Sequence, residues 1–320
     1  MKPKIYSTIP LPEKVEKYLT EHCELHQWKG NQSIPRDILL KELNDIAGLY
    51  TSGGKIDEEL LQHAPQLKVV SNVSVGYNNF DLETMKRHNV MGTNTPYVLD
   101  ETVADLTLAL ILSLARRIPE LDRFVKNGKW EPTSADEEYF GIDVHNTKLG
   151  IIGMGRIGKS IARRAKFGFN MEVLYYNRNR KLDVEEEYGV EYTDLKSLLQ
   201  QSDYVVLLTP LTPETYHFIG EKEFKLMKRS AFFINVSRGQ TVDEEALIVA
   251  LQNNEIKGAG LDVYTKEPVE RENPLLKMEN VVLTPHIGSA TSRTREDMAM
   301  RAAQNLVAAV TGKEPQDRVI

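Results

Sequence analysis

Short apolar runs alternate with amphipathic stretches along nearly the whole chain. Lys4-Ile5-Tyr6-Ser7 opens as a strand, and residues 11–20 read as a helix. Residues 45–50 predict a buried strand ending in the flexible Thr51-Ser52-Gly53-Gly54, followed by a helix over 57–63 and a strand over 67–71. From Lys148 the alternation strengthens, with strands predicted at 148–152, 171–176, 204–208, 231–235, 258–262 and 281–283. Such alternation is the pattern of parallel βαβ units, so the chain is placed in the α/β class.

Between the two series the pattern changes. Residues 100–117 predict one long helix, with Glu101 and Asp105 near its start and Arg116 and Arg117 near its end, a polarity that suits the helix dipole. Apolar residues occupy nearly every face of it, which predicts burial between layers or domains. Residues 127–146 carry no clear period and read as a long excursion. A closing helix is predicted at 291–311. No repeat of fixed period and no low-complexity tract interrupts the chain.

Composition narrows the function classes. A chain of 320 residues suggests two domains. Forty basic against forty-six acidic residues leave a net charge of −6, which disfavours a nucleic-acid surface. Cys23 is the single cysteine, so an intrachain disulfide is excluded and a cysteine-based zinc site is not expected. No apolar signal core opens the chain, and the greasiest stretch, 106–115, is about half the length of a membrane span. A soluble, cytoplasmic protein with no membrane, metal or nucleic-acid partner is expected.

The most informative local motif is Gly153-Met154-Gly155-Arg156-Ile157-Gly158, which follows the strand 148–152 and opens a helix expected over 159–167. A first glycine permits the tight turn, a second lets backbone approach a pyrophosphate, and a third allows close helix–strand packing. A glycine turn can also be purely structural, but both flanks here suit a dinucleotide. NAD sites usually carry an acidic residue about 20 positions further on, at the end of the next strand. Here that strand runs into Asn177-Arg178-Asn179-Arg180. The carboxylate that would repel a 2′-phosphate is missing and two guanidinium groups stand there, so NADP(H) is preferred with NAD(H) possible. A solvated basic turn is the plainer reading. Thr209-Pro210, Val236-Ser237 and Asp262 close further strands, where ligands of open α/β sheets bind.

Three charged residues could carry chemistry: Arg238 in Ser237-Arg238-Gly239, Glu267 before Pro268, and His286 in Thr284-Pro285-His286-Ile287-Gly288. Reduction of a 2-oxo acid requires a cation for the carboxylate and a proton donor at the ketone oxygen. A histidine steadied by a carboxylate meets the second need. Spacing alone does not join residues so far apart, and each could be a loop or surface group.

Together with Asn72-Val73-Ser74-Val75-Gly76-Tyr77-Asn78-Asn79-Phe80-Asp81, Glu101-Thr102-Val103-Ala104-Asp105, residues 149–158, 227–239, 260–268 and 283–288, the chain resembles the D-2-hydroxyacid dehydrogenase family, near its glyoxylate, hydroxypyruvate and 2-ketogluconate reductases. The resemblance implies two Rossmann-like domains around a cleft: a substrate domain of residues 1–96 plus 289–320, and a dinucleotide domain of residues 97–288. It implies Arg238, Glu267 and His286 as the catalytic set. Val75 and Gly76 would hold the substrate carboxylate, with Arg238 and His286 also touching substrate. Cofactor contacts are implied at Thr102, the glycine loop, Thr209, Val236, Arg238, Asp262, His286 and Gly288. Gly53 lies where the family has a substrate-facing loop, and its lack of a side chain suits either a longer sugar acid or simple turn chemistry. A homodimer built through the dinucleotide domains is implied, with residues 130–140 reaching toward the partner. Phosphoglycerate and lactate dehydrogenases share the architecture, although no residues are left for the extra regulatory domains of the former. A formate enzyme would carry glutamine at 267. A cofactor-sensing binding protein is the reading from a different class.

Overall fold

The computed structural model describes residues 2–132 and 136–320. The chain forms two compact units, Met1–Leu99 with Ala290–Ile320, and Asp100–Ser289. In the first unit, strands β1 (Lys4–Ser7), β2 (Glu24–Gln27), β3 (Gly48–Thr51), β4 (Val69–Asn72) and β5 (Met91–Thr93) form a parallel sheet of order β2-β1-β3-β4-β5. The central pair, β3 and β4, is buried at every position, as expected when helices cover both faces of a sheet. Helix Ser292–Val310 supplies one of those covers. Its carbonyls at Ala299 and Ala302 accept from the Tyr50 hydroxyl at 2.9 Å and the Ser71 hydroxyl at 2.7 Å. The tail after it returns to β5, where the Val319 amide donates to Gly92 at 2.8 Å.

In the second unit, β6 (Lys148–Ile152), β7 (Glu172–Tyr176), β8 (Glu191–Tyr192), β9 (Tyr204–Leu207), β10 (Phe232–Asn235), β11 (Gly258–Leu261) and β12 (Val281–Leu283) form a parallel sheet of order β12-β11-β10-β9-β6-β7-β8. The chain builds outward from β6 in one direction through β7 and β8, then in the other through β9 to β12. The switch point therefore lies at the carboxyl ends of β6 and β9, where open α/β sheets take their ligands. Helix Asp100–Ala115 packs on helix Arg156–Phe169 and on β10, β11 and β12, which accounts for its apolar residues on most faces.

The structure departs from the sequence expectations at element ends and sheet edges. The helix after the glycine loop begins at Arg156 instead of residue 159, so Arg156, Ile157 and Gly158 form its first turn. Strand β3 starts at Gly48, because the Ile46 amide turns back to Leu43 at 3.3 Å. Strands β2, β5 and β8 were not anticipated; all three are short strands at sheet edges, and none carries a long apolar run. In the excursion, residues 137–139 form a 3₁₀ turn, and Arg117 donates to the carbonyls of Glu138 and Phe140 at 2.6 and 3.2 Å. Trp130 and Phe140 are exposed, and residues 133–135 lie outside the described residues. Among the described residues, no helix is long and apolar enough to cross a membrane.

Candidate active site

Each glycine of the loop after β6 has a different physical reason. Gly153 has φ 107°, a backbone region that side chains rarely adopt, and a Cβ there would meet the Leu208 carbonyl carbon at 3.0 Å. At Gly158 a Cβ would lie 2.7 Å from the Gly153 oxygen, so the helix could not sit this close to β6. Gly155 is the opposite case: a Cβ would meet nothing within 4 Å. It caps a 14-residue helix that has neither a side-chain cap nor an acidic residue in its first turn. That leaves first-turn amides and the positive end of the dipole facing open space, a ready site for phosphate. Beside it, after β9, the buried Thr209 Oγ1 has no hydrogen-bond partner among the described residues. An orphaned donor at the switch point and the room that Gly155 leaves at the helix start both fit a dinucleotide.

The other expected cofactor residues divide by what they already bond. Arg156 donates from Nε to Asp100 at 3.1 Å. Burial pushes the Asp100 carboxyl up, and the Arg156 charge offsets this only in part. Ile157 packs into the core beneath the loop, and Thr102 is half-buried on the first turn of its helix. Pro210 is exposed, its carbonyl taking the Thr215 hydroxyl at 2.6 Å. At the end of β7, Asn177 donates to the Asn179 carbonyl at 2.8 Å. Arg178 is exposed and makes no hydrogen bond among the described residues. Arg180 is differently placed: Nε and Nη2 donate to Glu185 at 2.8 and 2.6 Å.

The three charged candidates come together on the loops that leave β10, β11 and β12. His286 Nδ1 lies 2.7 Å from Glu267 Oε2, and the Tyr264 amide donates to Glu267 Oε1 at 3.1 Å. Burial pushes the Glu267 carboxyl up, yet the His286 and Tyr264 hydrogen bonds and the charges of His286 and Arg238 prevail, so it sits below the usual range. Arg238 is itself pushed down by burial, against the opposing pull of Glu267. Its backbone is pinned: its carbonyl takes Thr241 Oγ1 at 2.6 Å and Asn235 Nδ2 at 3.1 Å. Ser237 is committed inward, with its amide and hydroxyl both donating to Asn235 Oδ1. Half-buried Val236 packs against the hydrophobic core. Behind this turn Gly239 passes so near Tyr264 that a Cβ would lie 1.8 Å from its carbonyl carbon.

His286 is exposed and has φ 53°, strain of the kind that collects where a side chain must be aimed. Asp262 holds that loop. Its Oδ1 accepts from the Ile287 amide at 2.8 Å and Thr284 Oγ1 at 2.7 Å, and its Oδ2 from the Gly288 amide at 2.8 Å. These bonds give the Asp262 carboxylate a positioning role in the loop that carries His286.

In the first unit, Val75 and Gly76 follow β4, and Gly53 follows the adjacent β3. The carbonyls of Ser74, Val75 and Gly76 are taken by the Thr95 amide at 2.9 Å, Asn94 Nδ2 at 2.8 Å and Asn72 Nδ2 at 2.9 Å. The Val75 and Gly76 amides donate to nothing among the described residues. A loop whose acceptors are all used offers only donors, which suits a carboxylate. A Cβ at Gly53 would meet nothing within 4 Å.

A family model described as the NAD-binding domain of D-isomer specific 2-hydroxyacid dehydrogenase matches residues 108–288, more than half of the chain. The chain belongs to that family. A glyoxylate reductase of Thermococcus litoralis is 46% identical over all of this chain and 97% of its own length. A glyoxylate/hydroxypyruvate reductase B of an Enterobacter species is 47% identical, over 98% of this chain and 96% of its own. An NADPH-dependent glyoxylate/hydroxypyruvate reductase of Sinorhizobium meliloti, solved in complex with NADP and malonate, superposes with a TM-score of 0.85 at 31% identity, covering 100% of this chain and 97% of that one.

This D-2-hydroxyacid dehydrogenase is therefore an α/β oxidoreductase that uses a nicotinamide cofactor. Sequence reasoning singled out the triad and the glycine loop but missed the residues behind them. Asn72, only 1% exposed, donates to Ser74 Oγ, the Gly76 carbonyl and Asn79 Oδ1. An asparagine ending a buried strand was the available signal. Glu185 had none, because one more acidic residue in a charged helix has no pattern to mark it.

Proposed function

We propose that this dehydrogenase reduces glyoxylate and hydroxypyruvate to D-2-hydroxy acids in the cytoplasm, preferring NADPH, and that 2-ketogluconate is a further substrate. The observation that carries the reading is the 2.7 Å His286–Glu267 pair with half-buried Arg238, on loops at the carboxyl ends of the sheet whose strand β6 leads into the glycine loop. The names and high identity of the Thermococcus and Enterobacter relatives support the substrate class. The open space at Gly53 supports room for a longer acid.

Gly153, Gly155, Gly158, Thr209 and Arg178 would hold the cofactor, which when bound supplies the reducing hydrogen. Glu267, accepting from Nδ1, fixes the tautomer of His286 and leaves Nε2 to give the proton to the keto oxygen. Arg238, positioned by Asn235 and Thr241, draws the substrate carboxylate and polarises the carbonyl. The Val75 and Gly76 amides, on a loop whose carbonyls are already taken, would bind a carboxylate. A homodimer that covers the exposed Ile118, Val125, Trp130 and Phe140 completes the proposal.

Steady-state rates with each of the three acids and with NADPH or NADH test it. The expected result is turnover of glyoxylate and hydroxypyruvate with a lower KM for NADPH. His286→Ala should cut kcat by about 10²-fold or more while nucleotide binding persists. Undiminished turnover in that variant would refute the assignment.

A further inference from the structure

The two arginines after β7 are not equivalent. Arg178 is exposed and makes no hydrogen bond among the described residues, although its charge is felt by Glu214. Arg180 is held. Its fork closes on both oxygens of Glu185, at 2.8 and 2.6 Å, and its plane lies over the Tyr192 ring at 5.8 Å. Glu185 is fixed in turn from within the unit: the Tyr175 hydroxyl donates to its Oε1 at 2.6 Å and accepts from the Lys181 amide at 2.7 Å. The bonds from Arg180 and Tyr175 hold the Glu185 carboxyl down to about 2, so it is charged throughout the neutral range. A bidentate pair of this kind uses the donors that an arginine would otherwise give to phosphate.

We propose that Glu185 sets the nucleotide selectivity of this enzyme without touching the nucleotide, by holding Arg180 back from the adenosine 2′-phosphate so that Arg178 reads it alone. Glu185 is thus a positioning residue, and the Asn177–Arg180 turn is a reader kept below its full strength. The inference rests on the NADPH assignment above.

The test compares KM for NADPH and for NADH, with glyoxylate saturating, in Glu185→Ala, Glu185→Gln, Arg178→Ala and the double variant Glu185→Ala/Arg180→Ala. Glu185→Gln keeps an acceptor for Tyr175 while removing the charge, so it guards against local misfolding. The expected result is a KM for NADPH lowered about fivefold in the single Glu185 variants, with KM for NADH little changed. The gain should vanish in the double variant. A KM for NADPH that is unchanged or raised in both Glu185 variants overturns the inference, as does a gain that survives loss of Arg180. Arg178→Ala judges the underlying assignment separately: an unaltered NADPH-to-NADH ratio there would sink the 2′-phosphate reading itself.

Discussion

Thr209 shows what a single atom can report. Its hydroxyl is buried at the switch point with no partner among the described residues, and leaving such a group unsatisfied costs free energy. Thr209→Val should therefore leave the melting temperature of the ligand-free protein unchanged or raise it, while weakening nucleotide binding about fivefold, about 1 kcal/mol. Calorimetric melting and a nucleotide titration check both halves. Glu267 gives a prediction with a sign. Its carboxyl is held below the ordinary value of 4.5, so its contribution to stability is full above about that pH and fades as pH falls through its lowered folded value. The gap in melting temperature between wild type and Glu267→Gln should be widest at neutral pH and should narrow below about pH 4.5. A gap that widens in acid would contradict the pairing. At this scale Arg238, Glu267 and His286 were picked out by the runs that resemble the family, and the structure places the last two within hydrogen-bond distance. Asn72 and Glu185 act through other residues: Asn72 ends a buried strand but shows no role of its own there, and nothing in the run around Glu185 distinguishes it.

Elements carry the site by bringing backbone close to backbone. The turn after β10 lies against Tyr264 so tightly that Gly239 has no room for a methyl group. Gly239→Ala forces these two segments apart, with an expected loss of about 1–3 kcal/mol of stability. Because Arg238 is the preceding residue, kcat/KM should fall more than nucleotide affinity does. Melting curves and kinetics on the same preparation measure both. The parallel strands were legible because most are buried on both faces and so appear as continuous apolar runs. Strands β2, β5 and β8 escaped notice because an edge strand borrows its stability from one neighbour and needs no apolar run of its own. The first turn of the helix after β6 was hidden by its glycines and by the arginine that reads as part of the loop.

For the whole molecule, chain order and unit boundaries do not coincide. The unit Asp100–Ser289 is contiguous, whereas the other needs both ends of the chain. A fragment of residues 100–289 should unfold cooperatively on heating, as followed by circular dichroism. A fragment of residues 1–99 should not, since it lacks helix Ser292–Val310, whose carbonyls at Ala299 and Ala302 serve Tyr50 and Ser71. Equal cooperativity in both fragments would count against that dependence. The α/β class followed from alternation alone, and the discontinuous substrate domain came from the resemblance, since periodicity cannot show which sheet a late helix joins.

The same arrangement governs how the protein is made. Translation delivers β1 to β5 first, yet the helix that covers one face of their sheet emerges last, after the entire dinucleotide-binding unit. The first-synthesised sheet must therefore wait with an uncovered apolar face on the ribosome, and the later-synthesised unit completes its fold before the earlier one. Synthesis rate and chaperone supply, more than the final stability of either sheet, would then set the yield of active enzyme.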